Sequence, residues 1–451
     1  MGGGLDRTRL AELRAREERR FVGAHPESQR LHTRAQRSLI GGVPMSWMTM
    51  WPGGFPIVAR DAEGARVLDV DGHEYVDLCL GDTGAMSGHS PSPVVQAIDE
   101  RARRGITMML PTEDATWVGE ELTARFGLPQ WQLTITATDA NRFALRLGRE
   151  ITGRPKVLVF NYCYHGTVDE TFITLEQGVA GSRAGNVGPP VDPTLTTTVV
   201  EFNDVDALER ALAVGDVACV LAEPALTNIG IVLPDPGFHD ALRDLTRHAG
   251  TLLIIDETHT ICAGPGGATR ALGLEPDLLT IGKTIGSGIP AGAFGATEDV
   301  ARRVLAASGA DYEDTGGIGG TLAGNALSLA AIRATLERVL TPEAFERMIA
   351  LGQRFAAGVE EVITTKELPW HVTRLGCRAE YLFQPSPPRN GGEAAANKDP
   401  ELDAFVHLYA LNRGILLTPF HNMALMSPAT TAADVDAHTV MFAEVADELM
   451  G

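Results

Sequence analysis

At 451 residues the chain is longer than one simple core accommodates, so two or three compact units are expected. Its 44% apolar and 21% charged residues are ordinary for a soluble globular protein, and a net charge of -20 argues against a nucleic-acid partner. Five scattered cysteines (Cys79, Cys163, Cys219, Cys262 and Cys377) lack CxxC spacing, which points to thiols in a reducing cytoplasm rather than zinc or disulfides. The N-terminal segment has no apolar signal core, and no apolar run approaches the ~18 residues of a membrane span. A cytoplasmic protein with no membrane partner is therefore expected.

Residues 5–38 are polar and read as a helix followed by a less regular arm. PIVAR, RVLDVDG and EYVDLCL alternate apolar and polar residues, the pattern of half-buried strands joined by Asp-Gly turns. PSPVVQAIDERARRG and ATWVGEELTARFG carry helical periodicity. The middle of the chain changes character: VLVF (157–160), VACVLAEP (217–224), TLLIIDET (251–258) and DLLTIGK (277–283) are continuous apolar runs that end in polar residues. Helical stretches such as DVDALERALAVG and PGFHDALRDLTRHAG separate several of them, so a mostly parallel sheet covered by helices is predicted. Such sheets bind ligands beyond the carboxyl ends of their strands, where Glu223, Asp256 and Lys283 all fall. NALSLAAIRATLERVL then leads into an α+β segment with AEYLFQ, a polar loop at 385–401, and ILLTP. The predicted division is 1–85 as arm and first part of a small domain, 86–334 as the large domain, and 335–451 as the rest of the small one.

Lys283 is one of four lysines against 34 arginines, and TIGKTIGSGIPAGAFGAT surrounds it with small and apolar residues. Poor hydration lowers an amine's pKa and opens the neutral, nucleophilic form that a Schiff-base lysine needs. A structural lysine paired with a distant carboxylate fits this stretch as well. In TITATDANRFALRLGRE, Thr136, Ala137 and Thr138 precede a helical run whose N–H groups suit a phosphate, although capping by Thr138 or Asp139 explains the same residues. Tyr164 in NYCYHG is placed to stack on a flat heterocycle or to fill core space. Asp256 follows four apolar strand residues, so it needs an arginine, a backbone turn or a protonated ring nitrogen as partner. Glu257 points to the opposite face, and one of the two is structural. Gly282-Lys283-Thr284 superficially ends like a Walker A motif, but Asp277 stands where that motif needs glycine and no helix follows.

TATDAN, YHG, AEPALTNIG, DET, GK and GGTLAGN, in this order and spacing, resemble the class III aminotransferases of fold type I. The resemblance spans essentially the whole chain, with glutamate-1-semialdehyde aminomutase and amine (omega) transaminases as the nearest types. VLDVDGHEYVDL and GHSPSPVVQAI are also similar to that family's N-terminal segments. It implies pyridoxal 5'-phosphate as cofactor, with Lys283 carrying it covalently and Asp256 facing its pyridinium nitrogen. By the same likeness Thr136, Ala137 and Thr138 form the phosphate cup, and Tyr164 and Thr258 cover the two ring faces. Asn228 reaches the ring hydroxyl and Glu223 supports that side. Thr321 reaches the neighbouring subunit's phosphate, which implies a homodimer with active sites at the subunit interface. The implied reaction moves an amino group from an amine or amino acid donor to a keto acid, aldehyde or ketone in a ping-pong cycle. The alternative is an aminomutase of the glutamate-1-semialdehyde type.

Several residues depart from the family pattern. Ala137 replaces a usual glycine and requires negative φ. Thr136 stands where serine is common, Thr258 where valine is usual, and His259 where an apolar residue is frequent. GGVPMSWM (41–48) lacks the arginine of relatives that act on amino acids, and TPFHNMAL offers His421 and Asn422 instead. A carboxylate normally calls for a bidentate partner, so an amine lacking a nearby carboxylate is favoured. Trp47, Met48, Trp51 and Phe420 suggest a roomy apolar pocket, and Trp47, Thr83, His259 and His421 are the predicted substrate contacts.

Overall fold

The computed structural model describes residues 5–307 and 317–450. They divide into two compact units: a terminal unit from Met1–Pro91, Glu346–Pro387 and Asn397–Gly451, and a central unit from Ser92–Phe345 and Pro388–Ala396.

The central unit is built on strands β1 (Gln130–Thr134), β2 (Lys156–Phe160), β3 (Thr197–Val200), β4 (Val217–Ala222), β5 (Leu252–Asp256), β6 (Leu278–Gly282) and β7 (Gly292–Ala296). Among the described residues they form one seven-stranded sheet in the order β1-β7-β6-β5-β4-β2-β3. β7 alone is antiparallel to its neighbours, so the remaining strands share one direction. The apolar runs read from the sequence are these strands: every residue of β4, β5 and β6 is buried, as a sheet covered on both faces requires. Covering helices include α1 (Ala137–Thr152), α2 (Val205–Ala213) and α3 (Phe238–Ala249). α1 buries Ala140, Phe143, Ala144 and Leu147, and α3 buries Phe238 and Leu242, the spacings of a single apolar face. The register sets Asp256 at the end of β5 beside Thr280 of β6, three residues before Lys283.

In the terminal unit the predicted irregular arm is a second helix. Arg7–Ala24 is followed by Pro26–Ala35, which opens on proline at its first turn. Asp71, in the Asp-Gly turn, caps this helix by accepting the Glu27 and Ser28 N–H groups at 2.7 and 3.0 Å. The first strand of this unit is Ala59–Glu63, displaced from PIVAR, and it joins Arg66–Asp69, Glu74–Asp77 and Ile415–Leu416 in a four-stranded sheet. His371–Leu375, Arg378–Leu382 and Met423–Leu425 form a three-stranded one. Asp69 is fully buried and accepts bonds from the His73 N–H (2.8 Å) and the Tyr75 hydroxyl (2.7 Å). Asp69→Ala strands the His73 N–H and leaves the Tyr75 hydroxyl only His25 Nε2, 2.8 Å away, and urea unfolding should show a loss of about 2 kcal/mol.

A cavity of about 770 Å³ in this unit is lined by Leu39, Val43, Met48, Trp51 and Leu416 among others. Of the aromatics singled out above, Trp51 lines it, whereas Trp47 packs edge-on against Phe420 at 5.7 Å. All five cysteines are buried and none forms a disulfide. Among the described residues no helix is long and apolar enough to cross a membrane.

Candidate active site

Asp256 is fully buried, and the sequence left its partner open. The structure gives three donors: Asn141 Nδ2 and His165 Nδ1, each 2.8 Å from Oδ2, and the Thr258 N–H, 3.0 Å from Oδ1. Burial alone would raise this carboxyl's pKa, but His165, Thr258 and Asn141 hold it down at about 2. Burial works against charge on His165 as well, yet the neighbouring Cys163 and Asp256 keep its pKa well above the usual imidazole value. Asp256 therefore stays a carboxylate in a dry site. Asn141 and His165 are the residues that sequence reasoning passed over. Asn141 is a buried polar residue on the otherwise apolar face of α1, its Oδ1 accepting from Thr280 at 2.6 Å; that out-of-place polarity was the available signal.

Glu257 has the structural role expected of one of the two carboxylates. It accepts from Thr260 Oγ1 (2.6 Å) and from the Ala268 and Thr269 N–H groups, at the start of the short helix Gly267–Ala271. A Cβ on Gly267 would collide with the Glu257 carboxylate, so glycine at this position is a packing requirement.

Lys283 follows the last residue of β6 with φ of 52°, a left-handed conformation uncommon for a lysine. It is half-buried, and its Nζ lies 2.8 Å from His259 Nε2. Nearby, glycines let the sheet approach the start of α1: a Cβ on Gly282 would stand 2.9 Å from the Ala137 nitrogen, and one on Gly166 would collide with Thr138 Oγ1.

Thr136 is the N-cap of α1, and its hydroxyl forms a capping box with Asp139. Thr138 Oγ1 accepts from the Thr167 N–H at 3.2 Å. The Thr136 hydroxyl is thus engaged as donor and acceptor, whereas accepting leaves the Thr138 O–H able to donate; with the first-turn N–H groups of Ala137 and Thr138, which helix geometry provides with no carbonyl, it makes the donors suited to an oxyanion. Ala137 is the first helical residue and is absent from the positive-φ positions, which meets the condition set for alanine there.

Glu223 is buried just past the end of β4 and accepts from the Thr227 hydroxyl. Asn228 donates to the Tyr162 carbonyl at 3.1 Å. Tyr164 is half-buried, edge-on to Phe172 at 6.3 Å, and Thr258 is buried directly after Asp256 and Glu257. Thr321 is exposed in the turn before the helix Ala326–Arg338. Trp47, Thr83 and His421 belong to the terminal unit, where Thr83 is fully buried and His421 bonds Glu380 at 2.9 Å through Nδ1.

A buried, ionised carboxylate, a lysine at an adjacent strand end and an open helix N-terminus form one donor set. It suits a group with a protonated ring nitrogen, a carbonyl and a phosphate, and the close glycine approaches leave room for the phosphate at the start of α1. This is the arrangement of the fold type I enzymes that use pyridoxal phosphate. The chain belongs to the class-III aminotransferase family, whose family model matches residues 49–444. It is 51% identical to a glutamate-1-semialdehyde-aminomutase from Pseudomonas aeruginosa PAO1, with a TM-score of 0.97 over 99% of this chain and 100% of that one; a lysine-to-alanine variant of that protein was solved in complex with PMP. It is 35% identical over 91% of its length to the glutamate-1-semialdehyde 2,1-aminomutase of Sorangium cellulosum, covering 94% of that protein. An omega-transaminase from Sphaerobacter thermophilus is 29% identical, with a TM-score of 0.85 over 94% of this chain and 98% of that one. The protein is an enzyme of the aminotransferase class, and its cofactor is pyridoxal phosphate.

Proposed function

We propose that the chain is an aminomutase of the glutamate-1-semialdehyde type, which moves an amino group between neighbouring carbons of one skeleton. The observation that carries this reading is the 51% identity, over nearly the full length of both chains, to the Pseudomonas aeruginosa protein of that description. It reverses the order favoured by the sequence, which placed an amine transaminase first. The missing arginine in residues 41–48 still supports that second reading, because a substrate carboxylate would need another partner.

Bound pyridoxal phosphate supplies an electron sink for charge developing at the substrate carbon. Asp256, held ionised by His165, Asn141 and Thr258, keeps the proton on the ring nitrogen. The N–H groups of Ala137 and Thr138 hold the phosphate, and Thr321 of a second subunit completes that seat, so the working unit is a homodimer. Tyr164 and Thr258 are the residues that would cover the ring, and Asn228 and Glu223 those that would meet its hydroxyl. Lys283 would hold the cofactor and, once displaced by substrate, its Nζ would carry a proton between the substrate carbon that bears the amino group and the cofactor carbon to which Nζ had been joined.

The two readings differ in the products they form. Incubated with glutamate-1-semialdehyde and no added keto acid, an aminomutase converts it to the isomer in which the amino group has moved to the neighbouring carbon, over many turnovers. A transaminase would use the semialdehyde's own aldehyde as acceptor and its amine as donor, so it would release the diamine and the dicarbonyl of that skeleton instead of the isomer. Diamine and dicarbonyl products in place of the isomer would favour the second reading.

A further inference from the structure

We infer that His259 is the proton partner of Lys283, passing a proton to and from Nζ whenever the lysine leaves or regains the cofactor. The inference rests on the reading of Lys283 as the residue that holds pyridoxal phosphate. Its own support is a contact between the two side chains in this structure. His259 stands at a position where an apolar residue is frequent, and its Nε2 is 2.8 Å from Nζ, within hydrogen-bond reach.

Both partners are fixed by backbone features rather than by the contact itself. His259 lies between Thr258, whose N–H is held by Asp256, and Thr260, whose hydroxyl is held by the buried Glu257. The Ile261 N–H bonds the Glu257 carbonyl at 3.0 Å, closing the turn that carries the imidazole. Glu257 is itself pinned by the start of the Gly267–Ala271 helix. On the other side, Lys283 leaves β6 in a left-handed conformation that sets the direction of its side chain.

The proton count gives such a partner a task. When an incoming amine displaces the lysine from the cofactor, the amine gives up one proton and Nζ gains one. The lysine's return reverses both transfers. Lys283 is half-buried, so exchange through bulk water is restricted, and an imidazole 2.8 Å from Nζ can accept from the amine and donate to Nζ with no net change.

Displacement of Lys283 by methoxyamine tests this without any carbon–hydrogen bond breaking, and is followed by visible absorbance of the holoenzyme. His259→Ala and His259→Gln should each slow displacement by about 100-fold, within the range of general acid–base catalysis. Added imidazole should restore the rate of His259→Ala in proportion to its concentration, while leaving the wild type unchanged. The His259→Gln variant keeps a polar group there that cannot relay a proton, so it stays slow. Displacement within about twofold of wild type, or slow displacement that imidazole does not accelerate, would overturn the assignment. Lys283→Ala is the control for the underlying reading: if its cofactor remained covalently bound, the role of Lys283 would fail first, and the two failures are distinguishable.

Discussion

Lys283→Ala should abolish the visible band of covalently held cofactor and reduce turnover by at least ~10³-fold, since both the covalent link and the mobile proton carrier are lost. The fold should survive, because Lys283 is half-buried and its neighbours on β6 are held by the sheet. The purified variant is expected to retain pyridoxal phosphate noncovalently through the α1 N-terminus and Asp256. Absorbance before and after gel filtration, beside a urea unfolding curve, separates these effects. Equal stability with a missing band is the expected pair of results.

Asp256→Ala should be damaging in a different way, because it removes a charge that Asn141, His165 and Thr258 surround and that the proposed mechanism sets against the ring nitrogen. The carboxylate is buried against His165, and removing one member of such a pair costs roughly 3–5 kcal/mol. Turnover should fall by about 10³-fold as the ring nitrogen loses its counter-charge. The pH dependence has a defined sign. Asp256 is lowered from 3.8 to about 2 in the fold, so its contribution is present above pH ~4 and is lost as pH falls through about 2. His165 is raised, so its contribution is full below its ordinary value near 6.5 and fades only as pH rises through its folded value. Acid unfolding of wild type and variant should therefore converge toward pH 2. Asp256→Asn, which keeps the shape but not the charge, should recover part of the stability and little of the turnover.

The central strands were legible because each is a continuous apolar run, and a sheet buried on both faces leaves that mark. Asp256 and Lys283 stood out for the same reason: each polar group follows directly on such a run. Their companions left weaker traces. His165 and Asn141 come from a loop after β2 and from α1, and only the sheet register brings them to one carboxylate. Glu257 could not be separated from Asp256 by alternation alone, since its role depends on a five-residue helix too short to show a period. Local capping claims the Thr136 hydroxyl, while the Thr138 hydroxyl accepts from the Thr167 N–H and keeps its own proton to donate, a difference that spacing alone does not show. Pro26, which hides the second N-terminal helix from a reading by periodicity, is its first residue. The choice between aminomutase and transaminase was hardest to read, because it turns on substrate contacts rather than on the cofactor's own seat.

The most direct test is borohydride reduction of the holoenzyme followed by proteolysis and mass mapping. The chain has four lysines, Lys156, Lys283, Lys366 and Lys398, so the attachment point is read without ambiguity. The cofactor-derived mass is expected on the peptide containing Lys283 and on no other. A reduced cofactor on Lys156, Lys366 or Lys398, or none on any lysine of a protein that binds pyridoxal phosphate, would contradict the account.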